Sequence, residues 1–178
     1  MGSIRQIYPT GYRIPVQVIR IYVKQIADAL HHVHSKQITH SYLKPENILF
    51  TEREHLLVSD FGPSNNLYLS QAMHSQASVS SYLYIAPEHY LGHVQAASDQ
   101  YALGAMIYEW LSGNPPFVGS AHEVITQHLQ VRPPSLCEQS SDIAHDIEEV
   151  VMRALAKDPQ ERFESIATFA TAFEQAAT

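Results

Sequence analysis

The chain has 178 residues, a formal charge of −7 from 11 Lys and Arg against 18 Asp and Glu, and a single cysteine. That length suits one domain with its own core, and the lone Cys137 excludes an internal disulfide, reading as an inert loop thiol in a reducing compartment. No Lys or Arg stands between Arg53 and Arg132, which argues against the basic face that a nucleic-acid partner needs.

Residues 1–13 form a short, partly polar lead-in that ends in a turn at Pro9-Thr10-Gly11 and lacks the apolar core of a signal peptide. From Pro15 to about Ser35, the positions Ile19, Tyr22, Val23, Ile26, Leu30 and Val33 recur every three or four residues. This is the pattern of an amphipathic helix with proline in its first turn. Its end carries His31-His32-Val33-His34. No cysteine or carboxylate stands near them at ligand spacing, so a solvent-facing helix end is expected and not a metal site. Ile48-Leu49-Phe50 and Leu56-Leu57-Val58 flank a charged turn and predict a small hairpin. Residues 63–83, rich in Ser, Asn, Gln and Tyr, predict a long loop. Ala97–Leu111 is apolar almost all round, as a buried helix is, and stops at Gly113-Asn114-Pro115-Pro116. It contains Glu109 and is too short to span a bilayer, so a cytoplasmic protein without a membrane segment is expected. Three further helices are predicted at about 120–130, 142–156 and 165–176. By pattern alone the chain is mainly α with one small hairpin.

Residues 38–62 read ITHSYLKPENILFTEREHLLVSDFG. His40 to Asn47 follows the plan His-Arg-Asp-Leu-x-x-x-Asn with two exchanges, and Asp60-Phe61-Gly62 follows after the hairpin. Ala86-Pro87-Glu88, Ser98-Asp99-Gln100-Tyr101-Ala102-Leu103-Gly104 and Leu155-Ala156-Lys157-Asp158-Pro159-Gln160-Glu161-Arg162-Phe163 come next in order. Any one of these is weak, but the ordered set is specific. It resembles the protein kinase family, and within it the bacterial serine/threonine kinases of eukaryotic type. The resemblance runs over residues 1–178 and covers only the C-terminal lobe. It implies a helical kinase C-lobe with the N-lobe absent, a catalytic loop at 38–50 and an activation segment at 60–88. No G-x-G-x-x-G loop and no V-A-I-K lysine occurs in the 178 residues.

The resemblance also implies roles. Asn47 and Asp60 would hold Mg2+, Lys44 would approach the transferring phosphate, and Leu49 would floor the adenine, giving half a site for ATP and Mg2+. The structural alternative is that Asn47 and Asp60 cap a turn. His40 would pack beneath Phe61, Asp99 would cap amides of the catalytic loop, and Glu88 would pair with Arg162. Tyr42 stands where the family has its catalytic aspartate, and Ser41 where it has arginine. A phenol titrates near 10 and stays protonated at neutral pH, so it donates a hydrogen bond but takes no proton from a substrate hydroxyl. Loss of a general base costs roughly 10²–10⁴-fold in rate. Ser41 has no charge for a phosphorylated activation loop, and Ser64, Ser70, Ser75, Ser78, Ser80 and Ser81 read as a solvated loop. Ser81 stands where the family has a threonine facing the aspartate, and Ser80 where it has glycine.

Three readings stand open on the sequence. One is a serine/threonine kinase-like domain acting on a protein substrate, impaired by Tyr42 and by the missing lobe. Another is a pseudokinase-type module that offers Leu49, Phe61 and the top of the 15–35 helix to a protein partner. The third is a truncated gene fragment without function.

Overall fold

The computed structural model describes residues 2–52, 55–61 and 82–178. Its axis is the helix Ala96–Ser112, buried from Ser98 through Leu111. Gln95 and Ser98 close a reciprocal capping box at its start, and Gly113 ends it at φ 86°, a left-handed conformation that glycine adopts without a Cβ penalty. The Gly113 carbonyl accepts from the Gly11 amide at 2.6 Å, so the helix end is tied to the N-terminal turn. At Gly104 an added Cβ would lie 3.0 Å from the Ala154 Cβ, which makes glycine the residue that lets a second helix pack close.

In chain order the helices are α1 (Ile4–Ile7), α2 (Val16–His34), α3 (Pro87–Tyr90), α4 (Ala96–Ser112), α5 (Ala121–Gln130), α6 (Leu136–Gln139), α7 (His145–Ala154) and α8 (Ile166–Ala176). The α2 stripe Ile19, Tyr22, Val23, Ile26 and Leu30 is buried, and α2 packs on α4 and α8. From α8 come Ile166, Phe169 and Phe173; burying each such side chain contributes about 1.5–3 kcal/mol. Strands β1 (Ile48–Phe50) and β2 (Leu56–Val58) pair antiparallel, with Ile48 opposite Val58 and Phe50 opposite Leu56. The Leu56 amide donates to Gln25 Oε1 at 2.9 Å, which fastens the hairpin to α2. This is the mostly helical kinase-type lobe with a small hairpin.

The elements depart from the sequence pattern in their short pieces. Residues 1–13 are not a plain lead-in: Ser3 and Gln6 form a capping box that starts α1, and Ser3 bridges to Leu49. The helix expected at 142–156 begins only at His145, because residues 140–143 close a turn first, the Ile143 amide donating to the Ser140 carbonyl at 3.2 Å. The loop expected at 63–83 lies almost wholly outside the described residues. No helix among those described is long and apolar enough to cross a membrane.

Candidate functional site

The first turn of α4 organises the site. Asp99 is 1% exposed, and its Oδ2 accepts from the His40 amide (2.8 Å) and lies 2.7 Å from His34 Nε2. Its Oδ1 accepts from the Ser41 amide at 2.8 Å. Ser41 sits at φ 72°, a conformation that costs a non-glycine residue about 1–2 kcal/mol. The two amide bonds to one buried carboxylate hold the backbone there. His34 therefore does not face solvent as its place at the helix end suggested. Its side chain is 11% exposed and bonded to a residue 65 positions away, while His31 and His32 are exposed. Helical spacing defines a face but not what packs against it.

His40 links the loop His40–Asn47 to the end of β2 through Ser59. Its Nε2 donates to the Ser59 carbonyl (2.8 Å) and its Nδ1 accepts from the Tyr42 amide (3.3 Å), which together select the neutral Nε2–H tautomer. Burial lowers its pKa, against the opposing pull of Asp99. The ring lies 4.6 Å from that of Phe61. Asn47 Nδ2 donates to the Tyr42 carbonyl at 3.0 Å. The Asn47 carbonyl accepts from the Ser59 amide at 2.9 Å, and Ser59 Oγ lies 3.1 Å from that carbonyl and 2.8 Å from Asp60 Oδ2. Asp60 is exposed at φ 59°, a left-handed position that Asp and Asn tolerate better than most residues. Around Ser59, a residue that sequence reasoning missed, the structure thus gathers His40, Tyr42, Asn47 and Asp60. Half-buried Lys44 opens the 3₁₀ turn Pro45–Asn47, and half-buried Leu49 lies on β1. The Tyr42 ring stands edge-on to His89, with centroids 6.2 Å apart. Gly62, Ser80, Ser81 and the other loop serines lie outside the described residues.

Below this edge lies a buried ion pair. Arg162 meets Glu88 through two parallel bonds of 2.8 Å, and it also donates to the carbonyls of Ala97 and Ala156. Ser98 Oγ donates to Glu88 Oε1 at 2.7 Å. Burial alone would raise the Glu88 pKa, but the Arg162 bonds and charge outweigh it, and the net shift is downward. His89 is 2% exposed, and among the described residues neither ring nitrogen has a hydrogen-bond partner; burial lowers its pKa.

A second network gave no local signal because its partners are far apart in sequence. Arg5 on α1 bonds Glu109 through both oxygens (2.7 and 3.0 Å), Thr10 (2.9 Å), Glu46 (3.3 Å) and the Tyr84 hydroxyl. It fastens the N-terminal turn to the central helix and to the 3₁₀ turn Pro45–Asn47. Cys137 lies on α6 and not in a loop, and its hydrogen bond to Glu148 pushes the thiol up to about 11, leaving it protonated.

The site's oxygen donors suit a hard cation. With Nδ2 committed to Tyr42, Asn47 has its Oδ1 as the ligand atom, and Asp60 adds an exposed carboxylate. Such a cation would neutralise nucleotide phosphate charge. No carboxylate stands at position 42.

The family model described as protein kinase domain matches residues 1–174. The chain is 35% identical over 153 residues to the serine/threonine-protein kinase PrkC of Bacillus subtilis, covering 85% of this chain and 24% of that protein. It is 34% identical over 169 residues to PknB of Mycobacterium leprae, covering 93% and 27%. The chain thus spans about a quarter of the length of these curated relatives. The crystal structure of the Mycobacterium tuberculosis PknI kinase domain superposes with a TM-score of 0.72 at 30% identity, over 98% of this chain and 61% of that one.

Proposed function

The chain belongs to the protein kinase domain family, beside bacterial serine/threonine kinases of eukaryotic type, and on that premise we propose that it retains half a Mg-ATP site while lacking effective phosphotransfer. The observation that carries this reading is the contrast at Tyr42. Its backbone carbonyl orients Asn47, as a catalytic loop requires, while its side chain offers no carboxylate to take a substrate proton. Asn47 and Asp60 hold the cation, Lys44 meets the phosphate, and Leu49 meets the base. The substrate of an intact relative would be a protein Ser or Thr; in this chain the hydroxyl would face a phenol. A cytoplasmic location belongs to the same proposal and rests on composition.

The test is a melting-temperature titration of the 178-residue chain with Mg-ATP. A saturable rise, abolished in Asp60→Asn, supports the half-site. No shift at saturating nucleotide, or a shift that Asp60→Asn leaves intact, contradicts it.

A second reading, a protein-binding module, is favoured by one feature of the same edge. Leu57 on β2 and Phe61 just beyond it are 47% and 42% exposed, two large apolar side chains beside the candidate site. A pull-down that depends on both side chains would support it, and capture equal in a Leu57→Ser/Phe61→Ser chain would remove it.

A further inference from the structure

Away from the catalytic loop, a surface cavity of about 560 Å³ opens between the end of α5, the outer face of α7 and the segment that joins α7 to α8. Its volume falls within the usual range for small-molecule sites, about 300–1,000 Å³, and its lining shares no residue with His40–Phe61. Three of the chain's 11 Lys and Arg, namely Arg132, Arg153 and Lys157, line it, in a molecule whose formal charge is −7. Glu149 and Glu161 complete its charged lining; both are exposed, and Glu149 lies 3.6 Å from His145 Nδ1. Among the described residues none of the three cations is in an ion pair.

We propose that this cavity binds a small molecule bearing an oxyanion, a phosphate or carboxylate group, held by Lys157, Arg153 and Arg132. Lys157 ties the cavity lining to the last turns of α5. Its Nζ donates to the Gln127 carbonyl at 3.2 Å and stands 4.7 Å over the Phe117 ring. An ammonium has three donors, and no carboxylate answers this one. Arg153 is pre-positioned: its guanidinium lies 4.3 Å over the Phe163 ring, and Nε and one terminal nitrogen reach the carbonyls of Glu161 and Arg162 at 3.4 Å. Its planar fork suits an oxyanion. Arg132 lines the cavity with an exposed side chain. A half-buried cation without a counter-ion is the arrangement that a bound anion relieves.

The ammonium's titration gives an independent readout. Burial, and then the charge of Arg162, lower the Lys157 pKa to about 8. Arg162, His128 and Tyr101 stand around it, Arg153, Arg132, Glu149 and Glu161 share the cavity lining, and His145 lies beside Glu149. Between about pH 7.5 and about pH 9, above the ordinary imidazole range, the arginines stay charged and the carboxylates ionised. Burial pushes His128 down to about 3 and Tyr101 up, so both remain neutral. Over that interval Lys157 is the group that changes charge.

The experiment titrates the 178-residue chain with sodium sulfate, whose charge is constant over this interval, and separately with sodium acetate. Sodium chloride holds the ionic strength fixed, and binding is read from backbone amide shifts. The expected result is saturable binding at one site, at least tenfold weaker in Arg132→Ala and in Lys157→Met, and weakening from about pH 7.5 to about pH 9 as Lys157 loses its proton. Preference for sulfate assigns the site to phosphoryl-type groups, and preference for acetate to carboxylates. Arg132 is exposed, so Arg132→Ala keeps the fold and remains informative if Lys157→Met unfolds. Absence of saturable binding by either anion, or equal affinity in the folded variants, overturns the proposal.

Discussion

Two regions of the molecule are held in opposite ways. Glu88, Asp99 and Arg162 are nearly inaccessible, and each makes several charge-assisted bonds to partners far away in sequence. Asp60 and Phe61 are exposed, and Asp60's bond is to its neighbour Ser59. The buried set carries the fold and poses the His40–Asn47 loop; the exposed set would carry the proposed chemistry. Residues of the second kind can change with little penalty to folding; position 42, where tyrosine stands in place of the family's aspartate, lies between the two sets, half-buried with its ring edge-on to His89.

Several substitutions break or sharpen this contrast. The largest effect is expected from Arg162→Ala, which strands a buried carboxylate and two backbone carbonyls: a loss of about 3–5 kcal/mol in urea unfolding. Next comes Asp99→Asn. An amide offers one acceptor oxygen, so one of the donors at His40, Ser41 and His34 loses its partner, for about 1–3 kcal/mol. Faster hydrogen exchange at the His40 and Ser41 amides would place the damage in the loop.

Acid should act through the same buried layer. The pKa values of His40, His89 and His128 are lowered by burial, the last to about 3. Below about pH 6.5 the unfolded chain binds protons that the folded chain refuses, so their contribution is complete above that pH and is lost as pH falls. Glu88, also lowered, adds a loss below about pH 4.3, continuing as pH falls through its folded value. Denaturant midpoints measured from pH 7 downward should fall steadily; a flat profile would mean that the imidazoles are not held neutral. The smallest effect on stability is expected at Asp60→Asn, within about 0.5 kcal/mol, because the side chain is exposed and Asn tolerates the same backbone. That variant should nevertheless lose the Mg-ATP-dependent rise in melting temperature.

Much of the fold was legible because it is periodic. The three- and four-residue spacing of Ile19 to Leu30 and the unbroken apolar run of α4 each mark one long helix, and the two three-residue runs mark the hairpin. The short helices α1, α3 and α6 span four residues each, too few for a period to emerge. For α1 the Ser3-x-x-Gln6 capping box was a readable signal that went unused. At the site, ordered motifs pointed to Asn47, Asp60, Asp99, Glu88 and Arg162, whereas His34, Ser59 and Arg5 have no motif. His34 meets Asp99 and Arg5 meets Glu109 only because α2 and α1 pack against α4, a fact of tertiary structure that local spacing does not carry.

The most direct test of the central claim, a kept scaffold with lost chemistry, is transfer of the ATP γ-phosphate to a Ser/Thr peptide by the purified chain and by Tyr42→Asp. The account predicts blank-level transfer from the chain as it stands. It predicts the same from Tyr42→Asp, since these 178 residues supply neither the glycine-rich loop nor its lysine. Transfer above the blank by the unmodified chain, abolished in Asp60→Asn, would contradict it.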